Sequence, residues 1–95
     1  MRVDLKTHIE TFQDTSGTEL KALITPTLSK DVGVILDFDN VSELTDEFIQ
    51  NGILALRSLF SRAKLQQLVG SVHMCEFVKQ QLTDATSKSA NQVLP

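Results

Sequence analysis

The residues best placed for chemistry are Asp37 and Asp39, which close the stretch Gly33-Val34-Ile35-Leu36-Asp37-Phe38-Asp39-Asn40-Val41. An apolar run that ends in two acids, ahead of an amphipathic helix pattern, puts those acids at the carboxyl end of a buried strand. In α/β proteins ligands and regulatory groups sit there. The segment fits an acidic catalytic loop or an edge for protein interaction. Asp37, Asp39, Asp46 and Glu47 could also hold a hard cation, which takes oxygen ligands. Plainer roles compete with these. Aspartate at a strand end bonds nearby backbone amides, and acids in a first helical turn complement its partial positive charge. The plainer roles are the expectation, with no catalytic set, metal or cofactor.

Asp37-Phe38-Asp39-Asn40-Val41 is similar to the Asp-x-Asp-x-Thr/Val signature of haloacid dehalogenase-type phosphatases. That resemblance implies a nucleophile at Asp37, a general acid/base at Asp39 and a magnesium ion offsetting phosphate charge. The family also needs a later lysine and a later acidic pair on further strands. Asp84 is the only aspartate after Asp46, and 95 residues are too few for that fold. A small magnesium-dependent phosphatase therefore stands as the alternative reading.

Other reactive side chains form no set. His8 and His73 are far apart, and neither has a partner at metal-ligand spacing. Cys75 lies two residues after His73, but i,i+2 residues on a helix face apart, so Cys75 reads as a small core residue. There is no Gly-rich phosphate loop or Cys-x-x-Cys pair.

Composition narrows the class. The length of 95 residues favours one domain with a modest core. The net charge is −3, no Lys/Arg cluster occurs, and Trp and Tyr are absent. Nucleic-acid binding has little support from such a chain. A weakly acidic surface suits a basic protein partner. No apolar run is long enough for a bilayer. The start lacks the apolar core of a secretory signal, and with one cysteine no internal disulfide forms. A cytoplasmic location is the expectation.

The elements that must position Asp37 and Asp39 follow from periodicity. Val3, Leu5, Thr7 and Ile9 alternate with polar residues, as in a half-buried strand, and an extra strand could occupy 7–12. Ser16 with Glu19 fits a capping box. Leu20, Leu23, Ile24 and Leu28 then give a helical face, which Pro26 should end or kink near Thr25. Val32 to Phe38 reads as a strand buried on both faces. Ser42 or Thr45 can cap a second helix carrying Phe48, Ile49, Ile53, Leu56, Leu59 and Phe60. Gly52 within it suits close packing on the sheet. Lys64–Val69 reads as a strand, Gly70-Ser71 as a turn, and Met74, Phe77, Val78, Leu82 and Ala85 as a last helix capped by Ser71. From Thr86 the chain is polar and aperiodic, as in a frayed tail. Alternating strands and helices imply a small α/β sheet.

Val32–Ala85 resembles the STAS domains, named for sulfate transporters and anti-sigma-factor antagonists, and in particular their divergent bacterial STAS-like branch. The resemblance rests on Val34-Ile35-Leu36-Asp37-Phe38-Asp39-Asn40-Val41, then Leu44, then Phe48 on a helix, then the Lys64–Val69 segment. It implies a STAS-like domain over 1–86 with a mixed three- to four-stranded sheet, helices mainly on one face, and a flexible tail over 87–95. It also implies a non-catalytic regulatory module that docks a kinase-like ATPase or other regulator. In anti-sigma antagonists a serine at the start of the second helix is phosphorylated, which breaks the partnership by adding charge. Here that position falls on Asp46, or on Glu47 if the register slips by one, which implies an absent switch, a permanently charged state or, as the favoured expectation, a partner bound without phosphorylation. The docking residues implied are Asp39, Asn40, Ser42, Thr45, Asp46 and Glu47. A structural subunit that forms a homodimer through the second or third helix is a further alternative.

Overall fold

The computed structural model describes residues 1–93, with side chains through Ser87. The chain runs β1 (Arg2–Asp4), α1 (Leu5–Phe12), a 3-10 turn (Gln13–Thr15), α2 (Ser16–Ser29) and β2 (Val34–Asp37). A π-helical segment (Phe48–Ile53), a 3-10 segment (Leu54–Ser58), α3 (Arg62–Leu68), β3 (Val69–Val72) and α4 (Glu76–Val93) follow. The three strands form one sheet in the order β1-β2-β3, and both pairings are parallel. The sheet is therefore parallel, not mixed as the STAS resemblance implied. Strands that follow one another in a parallel sheet need long crossovers. α1 and α2 make the first crossover, and everything from Phe38 to Leu68 makes the second.

The first strand is shorter than its alternation suggests. Asp4 caps α1 by accepting from the Thr7 amide and hydroxyl at 3.4 and 3.1 Å. Residues 7–12 are thus helical, not an extra strand. Leu5, His8, Ile9 and Phe12 also carry a helical period, and the cap selects it over the strand period. Leu5 and His8 are buried, Ile9 is packed against the core, and the His8 ring rests on Phe12 at 4.8 Å between centroids.

In α2, Leu20, Ile24 and Leu28 are fully buried, while Leu23 points outward. The helix passes through Pro26 and ends three residues later. Ala22 and Pro26 lie on the exposed side, where water can satisfy the carbonyl that the proline leaves without a donor. Asp31, with φ of 60°, then closes the helix end by donating its amide to the Leu28 carbonyl at 3.0 Å.

Strand β2 buries Val34 and Leu36 but leaves Ile35 41% exposed. It is covered on one face, not both. Arg2, Ile35 and Gly70 share the open face by register, and all three are exposed. Helices accordingly pack on the opposite face, that of Val3, Val34 and Leu36.

After the strand, Asp46 and Glu47 begin a helix that widens to π geometry at Phe48 and tightens to 3-10 geometry at Leu54. Thr45 caps it, its hydroxyl accepting from the Phe48 amide at 3.2 Å. Phe48, Ile49, Gly52 and Leu56 are buried. Gly52 packs on α2 and not on the sheet: a Cβ there would lie 3.1 Å from the Gly17 Cα and carbonyl oxygen.

Residues Lys64–Val69 are not a strand. Ser61 caps α3 by accepting from the Lys64 amide at 3.1 Å, and Ala63, Lys64, Leu65, Gln66, Gln67 and Leu68 favour helix except where packing overrides. The strand comes one element later, so Gly70 and Ser71 lie inside β3 rather than in a turn, and Ser71 caps nothing. α4 buries Val78 and packs Leu82 and Ala85 against the core, while Phe77 is 58% exposed. Helical backbone continues through Val93 over most of the stretch read as an aperiodic tail; residues 94–95 lie outside the described residues. No helix among the described residues is long and apolar enough to cross a membrane.

Candidate functional site

The register aligns Asp4, Asp37 and Val72 across the carboxyl edge of the sheet, so Asp37 occupies the strand end anticipated for it. Both its carboxylate oxygens are engaged. Oδ1 accepts from the Asp39 amide at 3.0 Å and meets His73 Nδ1 at 2.9 Å, and Oδ2 accepts from Arg2 Nη2 at 2.8 Å. The His73 and Arg2 contacts, followed by the Asp39 amide, hold the carboxyl well below the usual carboxylate range. His73 adopts φ of 59°, uncommon for a non-glycine residue. Asp37 thus ties together β1, β2 and the turn after β3. The amide bond to Asp39 is the turn chemistry expected at a strand end; the partners Arg2 and His73 carry no signal in the local sequence.

Asp39 and Asn40 turn the chain away from the sheet and are exposed, with Asn40 at φ of 65°. The loop beyond them alternates outward polar and inward apolar residues. Ser42, Glu43, Thr45 and Asp46 face solvent, while Val41 and Leu44 are buried. α4 holds the loop from behind. The Leu44 amide donates to Gln81 Oε1 at 2.8 Å, and Gln81 Nε2 donates to the Leu44 carbonyl at 3.0 Å. Cys75 is exposed rather than core, with Sγ 3.6 Å from the Val41 carbonyl oxygen. Gln81 therefore gives Leu44 what a neighbouring strand would give it, and the backbone of the loop is fixed.

Two of the six anticipated docking residues have structural duties. Thr45 caps its own helix. Glu47 caps α2: its Oε1 accepts from the Gly17 amide at 2.8 Å, and its Oε2 from the Thr18 amide at 3.0 Å and the Thr18 hydroxyl at 3.3 Å. Burial opposes the charged form of Glu47. The amides of Gly17 and Thr18, with the Asn51 and Thr18 side chains, outweigh it and keep the carboxyl below its ordinary value. The capping box expected from Ser16 and Glu19 does not form, and the buried Ser16 hydroxyl has no partner among the described residues. Asp39, Asn40, Ser42 and Asp46 are left with exposed side chains.

The acids do not gather into a cation site. Asp37 is committed to Arg2 and His73, Glu47 to α2, and among the described residues no three of His, Cys, Asp and Glu come together as a ligand set. His8 is buried, its Nε2 2.9 Å from the Ser16 carbonyl oxygen. The first turn of α2 thus receives a contact from α1 as well as the Glu47 cap.

No protein-family model, curated protein or solved structure matches this chain. What the fold itself defines is a small α/β protein with a three-stranded parallel sheet and four α-helices.

Proposed function

We propose that the chain is a non-catalytic, STAS-like interaction module that docks a protein partner through the loop after Phe38 and the first residues of the following helix. The observation that carries this reading is a row of exposed polar side chains on a backbone fixed from behind. Asp39, Asn40, Ser42 and Asp46 point outward, while Val41, Leu44 and the paired bonds from Gln81 hold the loop in place. A pre-ordered surface loses little conformational entropy on binding. Three carboxylates on it (Asp39, Glu43 and Asp46) suit a partner with a basic face. A kinase-like ATPase or another regulator fits that description. Asp46 stands where a switching serine would be, so the partner binds without a phosphorylation cycle at that position.

Co-purification of a partner with the wild-type chain and with Asp46→Lys tests the surface. Loss of the partner with Asp46→Lys is the expected result. Equal recovery with both chains would remove the surface from the argument.

A further inference from the structure

The register places Leu36 and Ser71 side by side on the helix-covered face of the sheet. Leu36 is buried, yet Ser71 is exposed. The helical layer does not close over β3, and it leaves a cleft of about 570 Å³ between the Leu54–Ser58 segment, α3, β3 and α4. Leu36, Leu56, Leu65, Val69 and Leu82 contribute an apolar lining. Leu65, Val69 and Leu82 are only half-buried, so the cleft offers hydrophobic surface that the described residues do not cover.

The charged groups that line this cleft have one sign. Arg57 and Arg62 both line it, and among the described residues no aspartate or glutamate does. Both arginines are exposed, and neither forms an ion pair among the described residues. The nearby Lys64 is already committed, 2.9 Å from Asp31 and over the Phe60 ring. In a chain with net charge −3, two unpaired guanidinium groups beside an apolar cavity form a local cationic site. Ligand pockets have this size and this division between apolar walls and a few orienting polar groups, and guanidinium is suited to carboxylate.

We propose that this cleft binds one aliphatic carboxylate of medium chain length, with its chain along the apolar lining and its headgroup held by Arg57 and Arg62. The site is separate from the docking loop, and its occupancy does not depend on a protein partner.

Calorimetric titration with decanoate and with decan-1-ol tests it, using the wild-type chain, an Arg57→Gln/Arg62→Gln double variant and a Ser71→Phe variant. All three substitutions are at exposed positions, and circular dichroism checks folding. Decanoate is expected to saturate at one per chain. The double variant should weaken decanoate about tenfold or more while changing decan-1-ol by less than about twofold, since only the acid uses the arginines. Ser71→Phe should weaken both by filling the cavity. Absence of saturation by decanoate, equal decanoate affinity in the double variant, or a dimer by light scattering that closes the cleft against the ligand would overturn the proposal. The arginine variant carries the test on its own if Ser71→Phe fails to fold.

Discussion

Glu47 caps α2 through a 2.8 Å hydrogen bond from the amide of Gly17, thirty residues before it in the chain. The backbones are in contact at the same point: a Cβ on Gly17 would lie 2.3 Å from the Glu47 carbonyl oxygen and 2.8 Å from the Phe48 Cα. The close approach and the cap depend on each other. Only glycine lets the chains come near enough for the carboxylate to reach two amides of the first turn.

Removing the cap should destabilise the fold. Glu47→Ala leaves the Gly17 and Thr18 amides without their acceptor, and such caps contribute about 1–2 kcal/mol. Urea denaturation should show a lower midpoint with unchanged slope, and Glu47→Gln should lie between Ala and wild type.

Gly17→Ala should be more damaging, because the added methyl meets backbone atoms that no rotamer change can move. The expected loss is about 3 kcal/mol, at the upper end for overpacking. Gly52→Ala, whose Cβ would meet Gly17 at 3.1 Å, should cost less. The order of their melting temperatures checks this.

Acid should weaken the sheet edge through Asp37. Its folded-state pKa is depressed, so its contribution is fully present above the unfolded value near ~4 and is lost as pH falls below that toward the folded value. Glu47 is shifted in the same direction. Thermal melts from neutral to acidic pH should show a decline below about pH 4, with a shallower decline in Asp37→Asn. A parallel decline in that variant would mean Asp37 does not contribute.

Gln81→Leu should loosen the loop after Phe38 without unfolding the chain. It removes one donor and one acceptor from the Leu44 backbone, at a cost of about 1–3 kcal/mol for the unsatisfied groups. Amide hydrogen exchange at Leu44 should accelerate, while exchange at Leu36 within β2 follows global stability.

Local pattern accounts for several elements. α2 is legible from Leu20, Ile24 and Leu28, the central strand from Val34–Leu36, the helix after it from a cap at Ser42 or Thr45 and the spacing of Ile49, Ile53 and Leu56, and α4 from Val78 and Leu82. Two segments mislead for definable reasons. Residues 5–12 satisfy both the two-residue and the helical period, and Asp4 decides between them. Residues 64–69 mix apolar residues with glutamines that serve equally well in a helix, and the strand then falls on the Gly70-Ser71 pair that marks a turn elsewhere. The candidate site divides in the same way: the exposed loop from Asp39 to Asp46 is visible in the chain, whereas the engagement of Glu47 with α2 is not.

Sequence alone thus determined α2, the central strand with its acidic end and a hydroxyl cap at Ser42 or Thr45, because each depends on residues within a turn or two of one another. Tertiary structure decided which side chains remain available. It tied Asp37 to Arg2 and His73, sent Glu47 to Gly17, bound Leu44 to Gln81, and left Arg57 and Arg62 beside an uncovered apolar cleft. These outcomes depend on segments far apart in the chain meeting in space, and neither periodicity nor local propensity contains that distance.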